Sequence, residues 1–440
     1  MSVMSGLEKL KSINPLVIGD IMLDRFIYGK VERISPEAPV PIFRYDHEKE
    51  MLGGAGNVVA NITSIGSKCD FLGVIGNDPE GRKISNLLKE IGVHSHLLKL
   101  NDYPTILKSR MIAGNNHLLR VDHEKRLPVM TEVLDRFSSI LLKAIKGADV
   151  VLLSDYNKGI FTAETTRMII DICRQLNKPV IVDPKGMDYS KYTGATLIKP
   201  NLKEFGEATG RKYNPAGSSF HDEVKAGAVQ LMEKYDIANL IVTLSEYGML
   251  HISRKDQVIT HIFTEAREVY DVSGAGDTTL ATLGLAIGSG MKIKDAMRLA
   301  NKASGIVVGK LGTATVTFEE LCNAWSGEHS KNGSVTNEQN LQDIIARAAG
   351  NHQSVTIVSG SFAGLTAEMI EKLSELKQGC DKLLAVITGS AEHSLAKAVL
   401  ASHVAVDYVV EIKDWDSFKA GSSFAASVKD VNIVDLDLQA

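Results

Sequence analysis

The segment DVSGAGDTTLATLGLAIGSG, Asp271–Gly290, puts two glycines and an acid at a turn and then continues as an apolar helix of small residues. The first amides of a helix have no intrahelical acceptor, and the helix dipole adds positive potential at that end. Gly274 and Gly276 let the backbone come close to a phosphate, so the turn reads as an anion cradle. Asp277 sets a carboxylate beside that anion, where repulsion disfavours it unless it has a task. The natural task is to take a proton from an attacking hydroxyl. The competing reading is a helix cap whose small residues serve close packing.

Further stretches carry weaker chemistry. MLGGAGNVVANI (51–62) has glycines ahead of a helix starting near Asn57, whose amide can both donate to and accept from hydroxyls; it also reads as a flexible turn. NLKE, Asn201–Glu204, offers an amide and a carboxylate to a hydrated Mg2+, as ATP chemistry requires. The same residues fit an ordinary capping box, with Asn201 the cap and Glu204 its partner. VDPKG (182–186) presents the Lys185 ammonium to a substrate phosphate, or simply to water. GNDPEGRK (76–83) imitates a phosphate loop but has Arg82 in the lysine position and Ile84 where Ser or Thr is needed. Asn77 or Asp78 is expected instead to cap a helix beginning near Pro79. GxSxG and HExxH are both lacking, so hydrolase and zinc-protease readings find no support.

These residues need a frame, and the hydrophobic pattern supplies one. LVIGD, CDFLGVIG, ADVVLLSD, KPVIVDP, ATLIKPN and NLIVTLSEYG read as buried strands, with helical segments such as EGRKISNLLKEIG and TAETTRMIIDICRQLN between several of them. That alternation predicts a mostly parallel sheet flanked by helices, with ligands gathered at the carboxyl ends of its strands. Several strands end in polar residues: Asp20, Asp155, Asp183 and Asn201. Residues 39–50 and 105–124 break the alternation as extended or hairpin segments and predict a small β-sheet lid. The polar stretch 326–340 reads as a linker, and 351–440 gives a smaller Rossmann-like α/β pattern. The expected domains are 1–318, a linker 319–350, and 351–440.

The 440 residues are 44% apolar and 23% charged, with a net charge of -4 and no Lys/Arg block, which gives no sign of nucleic-acid binding. Four dispersed cysteines form no metal or disulfide pattern and fit a reducing compartment. The N-terminal residues lack a signal-peptide core, and no apolar run spans a bilayer, so a cytoplasmic location is expected.

In the order GDIMLD (19–24), GGAGN (53–57), NLKE (201–204) and DVSGAGDT (271–278), these motifs resemble the ribokinase-type (PfkB) sugar kinases. Longer stretches, including VIGDIMLDRFIYGKVERISPEAPVPI, LLSDYNKGI and VDPKGMDYSKYTGATLIKPNLKEF, resemble the branch acting on D-glycero-β-D-manno-heptose 7-phosphate. The likeness spans roughly residues 10–318. It implies a PfkB fold with a β-lid that serves as a homodimer interface, with ATP, Mg2+ and a sugar phosphate as ligands. Activity would form the 1,7-bisphosphate on the route to the ADP-heptose of lipopolysaccharide core. By position it implies Asp277 as base, with Gly274, Ala275 and Gly276 as the anion hole. Asn201, Leu202, Lys203 and Glu204 fall on the nucleotide side, Glu204 facing the metal through water. Asp24, Gly54 and Asn57 would hold sugar hydroxyls, and Lys185 and Arg110 the substrate phosphate. Gly56 and Asn157 depart from the family's usual Ala and Gly. Other sugar kinases of the family, or a silent sugar- or nucleotide-binding regulator, are the alternatives.

Many relatives in this branch carry a nucleotidyltransferase domain with a GxFDxxHxGH loop, whose histidines stabilise nucleotide phosphates. The matching stretch here, GSFAGLTAEM (Gly360–Met369), has Ala363 in the Asp position and Thr366 and Met369 in the histidine positions. Residues 351–440 are therefore expected to be a degenerate copy without adenylyltransferase activity.

Overall fold

The structure is a computed structural model. It describes residues 3–114, 116–127, 131–217, 219–264, 271–310, 312–327, 334–336, 341, 345, 354–360, 362, 366–388, 399–400, 403, 405–412, 415–416 and 431–436. The chain divides into two compact units, Ser5–Leu321 and Cys322–Ala440 with Met1–Met4. No helix among the described residues is long and apolar enough to cross a membrane.

In the first unit the strands in chain order are β1 (Pro15–Gly19), β2 (Ile21–Ile34), β3 (Pro41–Gly54), β4 (Asp70–Gly76), β5 (His94–Leu100), β6 (Leu107–Ala113), β7 (Asn116–His123), β8 (Val150–Ser154), β9 (Val180–Asp183), β10 (Leu197–Ile198), β11 (Asn239–Thr243), β12 (Met249–Ser253) and β13 (Ile259–Ile262). Among the described residues they build a nine-stranded sheet ordered β13-β12-β11-β10-β9-β8-β1-β4-β5 and a four-stranded sheet ordered β3-β2-β6-β7. The large sheet is parallel from β11 to β5, with β12 and β13 antiparallel at one edge. Its central strands β1 and β8 are buried throughout, as unbroken apolar runs covered on both faces must be.

The predicted lid is the four-stranded sheet, and it contains one strand more than the 39–50 and 105–124 segments foretold. β1 passes through Asp20 alone into the 14-residue β2, which pairs antiparallel with β3 and parallel with β6. β2 was hidden because its first residues, Ile21–Leu23, simply prolong the apolar run of β1.

The helix that carries Asp277, Ala275–Gly288, answers one half of the packing question. A Cβ on Gly284 would stand 2.6 Å from Leu152 on β8, and one on Gly288 would stand 2.9 Å from Ile13. The small residues of its later turns therefore serve close approach to the sheet. Helix Pro79–Glu90, the imitation phosphate loop, is capped by Asp78, which accepts from the Gly81 amide at 2.7 Å and from the Thr105 amide at 2.7 Å. Burial opposes the Asp78 charge, but these bonds outweigh it and hold the carboxyl below its ordinary range. Asp78→Ala is expected to cost about 1–2 kcal/mol, read as a lowered Tm at pH 7. A depressed carboxyl contributes stability above its unfolded pKa and loses it as pH falls through the folded value, so the difference between variant and wild type should shrink in acid.

In the second unit, β14 (Ser334–Thr336), β15 (Val355–Gly360), β16 (Lys382–Thr388), β17 (Tyr408–Ile412) and β18 (Val431–Asp435) form a parallel sheet ordered β14-β17-β16-β15-β18. β14 corrects the reading of 319–350 as linker alone: Ser334–Thr336 pairs with Tyr408–Val410, and Leu341 and Ile345 are buried with this sheet's apolar residues. The polar composition around them had masked a three-residue strand. Thr366 caps helix Ala367–Gln378 by accepting from the Met369 amide at 3.3 Å. Ala363 lies outside the described residues.

Candidate active site

The strand ends singled out by their polarity converge. Asp155, Asp183 and Asn201 follow or end β8, β9 and β10, and all three line one cavity of about 470 Å³ with Lys185, Lys199, Glu204, Gly274, Ala275, Gly276 and Asp277. Asp20, at the end of β1, holds the same region from behind. Its Oδ2 accepts from the Tyr156 amide at 3.0 Å and from the Lys158 amide at 3.1 Å. Burial, reinforced by the charge of Asp155, pushes its pKa up to about 6.

Asp277 sits in the first turn of helix Ala275–Gly288 and is 4% exposed. Its Oδ1 accepts from the Tyr156 hydroxyl at 2.7 Å and its Oδ2 from the Asn57 amide at 3.0 Å. Burial raises its pKa to about 7, with Asp183 adding to the shift, while Asn57, Tyr156 and Lys199 oppose it. A carboxyl poised there can take up a proton near neutral pH. Tyr156 is itself held well above the ordinary phenol range by burial and by the charge of Asp277, so it remains a donor.

The glycines before Asp277 behave differently from those further along the helix. Gly274 is the N-cap at φ 82°, in the left-handed region, and a Cβ there would lie 2.4 Å from Asn57 Nδ2. A Cβ on Gly276 would meet nothing nearer than Lys199 Nζ at 3.9 Å and Asp183 Oδ2 at 4.0 Å, which means it would project into open cavity. The Ala275 amide turns back to the Val272 carbonyl at 3.3 Å, and the first intrahelical bond runs from Thr278 to Gly274. The amides of Gly274, Gly276 and Asp277 have no backbone acceptor among the described residues, so of the expected 274–276 set only Ala275 is committed elsewhere and Asp277 joins it.

Two groups unmarked by the sequence complete the site. Lys199 is 2% exposed and pairs with Asp183 at 3.0 Å, while burial lifts Asp183 to about 6 against that pairing. Tyr156 lies in the stretch LLSDYNKGI, where its type alone gives no hint that it touches Asp277. The next residue, Asn157, stands at φ 58°, a conformation natural to glycine that asparagine tolerates better than most.

Other expected residues sort into two groups. Asn201 and Glu204 form the reciprocal capping box, with Glu204 N to Asn201 Oδ1 at 2.9 Å and Asn201 N to Glu204 Oε2 at 3.0 Å. Both also face the cavity, whereas Leu202 packs into the core and Lys203 is exposed, pairing with Glu207. Lys185, expected at a substrate phosphate, lies beside this group: its Nζ is 2.8 Å from Glu204 Oε1. On the lid side, Arg110 reaches Asp24 at 2.6 Å and stacks over Phe26 at 5.1 Å. Asp24 is 3% exposed, and a Cβ on Gly53 would collide with its Oδ2. Gly54, at φ 58°, makes the turn from β3 into helix Ala55–Ser64 against the Asp20 carbonyl, so its glycine is a backbone requirement.

Comparison with known proteins places the fold in a family. Residues 14–320 match the family described as pfkB family carbohydrate kinase. The chain is 38% identical over 425 residues to "Bifunctional protein HldE" of Paramagnetospirillum magneticum, covering 93% of this chain and 86% of that protein. It is 35% identical to the protein of the same name from Pasteurella multocida, covering 91% and 85%. Among solved structures, phosphofructokinase-2 from Escherichia coli in complex with substrates and products superposes with a TM-score of 0.60 at 17% identity, covering 71% of this chain and 98% of that one. Arabidopsis thaliana ribokinase complexed with ribose and ATP gives 0.55 at 17%, covering 71% and 98%. With its parallel sheet, its lid and its glycine turn leading into a buried acid, the chain belongs to the pfkB family of carbohydrate kinases.

Proposed function

We propose that this chain transfers the γ-phosphoryl group of ATP to the C1 hydroxyl of D-glycero-β-D-manno-heptose 7-phosphate, in the cytoplasm, through residues 1–318. The observation that carries the reaction type is the buried Asp277, held by Asn57 and Tyr156 at the glycine turn that opens helix Ala275–Gly288. The choice of sugar rests on the long stretches shared with that branch of the family.

Asp277 accepts the C1 proton as the oxygen attacks, and the amides at the start of helix Ala275–Gly288 stabilise the transferred group. Lys185 swings from Glu204 to a nucleotide phosphate, its side chain being half exposed. Asp24 and Asn57 receive sugar hydroxyls, and Arg110, beside Asp24, receives the 7-phosphate. The cavity carries Asp155, Asp183, Glu204, Glu246 and Asp277 against Lys185 and Lys199, an acidic excess that fits a divalent cation accompanying a polyphosphate. Mg2+ held there through water by Glu204 would neutralise phosphate charge. The lid closes over the sugar and excludes water. Its exposed Val31, Ile34, Val40, Tyr45, Leu119 and Val121 fit a homodimer interface.

ADP release measured across a panel of sugar phosphates tests this reading. Heptose 7-phosphate should give the highest kcat/KM, and absence of ADP release with every sugar phosphate would favour a silent binding protein. Residues 351–440 should transfer no adenylyl group to heptose 1-phosphate, since Thr366 is committed to its helix cap and Met369 donates nothing from its side chain. ADP-heptose and pyrophosphate formed by the purified protein would overturn that part.

Tyr156 is a positioning residue for Asp277. Tyr156→Phe removes a donor that favours the carboxylate, so the ascending limb of the pH–kcat/KM profile should move to higher pH. A profile that keeps its shape and position would remove that role from Tyr156.

A further inference from the structure

Far from the carboxyl ends of the strands, Asp70 opens β4 and His94 opens β5, and the two are register partners. His96 lies two residues on, and therefore on the same face of the edge strand. The ligand atoms of Asp70, His94 and His96 all lie within 4.8 Å of one another. From this geometry we infer that Asp70, His94 and His96 form a binding site for a divalent transition metal ion of the Zn2+ class, separate from the kinase site.

The donor set selects the ion. Two imidazoles and one carboxylate suit Zn2+, Co2+ or Ni2+, whereas Mg2+ and Ca2+ prefer oxygen alone. Residues two apart on a strand have Cα atoms about 6.6 Å apart, yet these rings lean together to a centroid separation of 4.5 Å. Asp70 is oriented from behind: Asn14 Nδ2 donates to its Oδ2 at 3.2 Å, leaving Oδ1 to face His94 Nδ1 at 2.6 Å. Such outer hydrogen bonds to a carboxylate are characteristic of metal ligands.

The fit needs the side chains to adjust. Two ligands about 2.0–2.1 Å from a tetrahedral ion stand about 3.3 Å apart, so the His94–Asp70 pair must open by about 0.7 Å. The His94 side chain is 74% exposed and free to turn by that amount. Three protein ligands leave a fourth position for water, and the ion would clamp β5 to β4 at the sheet edge.

Zn2+ titration of the metal-stripped full chain, followed by calorimetry and by the visible spectrum of the Co2+ form, tests the site. One ion per chain is expected, with a tetrahedral Co2+ spectrum and a Zn2+-dependent rise in Tm. His94→Ala, His96→Ala and Asp70→Asn should each weaken Zn2+ binding at least tenfold and leave ADP release unchanged. Circular dichroism would establish that each variant is folded. Absence of binding, or a weakening below tenfold in either histidine variant, overturns the assignment.

Discussion

Asp277→Asn is expected to lower kcat by about 10²–10⁴-fold while leaving ATP affinity unchanged. The amide has nearly the same shape and still meets Tyr156 and Asn57, but it cannot take a proton. Steady-state ADP release with saturating sugar phosphate, together with ATP binding by calorimetry, checks both halves. Near-normal turnover would remove the role of base from Asp277. In the wild type kcat/KM should climb with pH through about 7, where Asp277 ionises, and this limb should vanish in the variant.

The same substitution has a signature in stability. Asp277, Asp183 and Asp20 are raised to about 7, 6 and 6. The folded chain therefore keeps protons that the unfolded chain gives up above about pH 4. These groups thus erode stability as pH rises from about 4 to about 7, and the loss is complete above that window. Asp277→Asn removes one share of it, so the variant's Tm should exceed that of wild type at pH 8 and approach it near pH 4.

Paired substitutions at Gly274 and Gly276 separate anion binding from packing. Gly274→Ala forces a side chain into the left-handed region, costing about 1–2 kcal/mol. It also drives a methyl against Asn57 Nδ2, which is 2.4 Å from the Cβ position. Displacing Asn57 loosens Asp277, so kcat should fall by about 10²-fold along with Tm. Gly276→Ala should leave Tm unchanged, because its methyl enters open cavity near Lys199 and Asp183. ATP affinity should nevertheless fall at least tenfold, about 1.4 kcal/mol, because that methyl occupies the approach of a phosphate. If Gly276 served packing, the pattern would invert: a lowered Tm with ATP affinity intact.

Much of this arrangement is legible in the sequence, for identifiable reasons. β1, β4, β8, β9 and β11 are apolar runs bounded by polar punctuation, and the Asp155, Asp183 and Asn201 ends announce the edge that lines the cavity. The glycine turn and Asp277 are contiguous in the chain, so local pattern suffices to find them. Tyr156 and Lys199 are different: each gains its importance from a partner distant in sequence, 121 residues away in the Tyr156–Asp277 pair. Lys185 illustrates the same limit. Its position at a strand end was readable, but its pairing with Glu204 depends on the crossover that brings β10 beside β9. β2 and β14 went unseen because hydrophobicity does not mark where one run becomes two strands, or where three residues in a polar stretch pair.

The passage of β1 through Asp20 into the lid bears on how that lid moves. The chain leaves the core at Asp20 and returns at Gly54, and these points are fastened together: the Ala55 amide donates to the Asp20 carbonyl at 3.1 Å, and Ile21 is the register partner of Gly54. Exit and re-entry of the β2–β3 half thus share one pivot, while β6 and β7 join the rest of the unit through their own connections before Leu107 and after His123. With its strands already formed, such a flap would close without ordering loose chain and at little conformational-entropy cost. Its rate should depend weakly on temperature and denaturant until the sheet itself melts, as expected of a hinge and not of a folding segment.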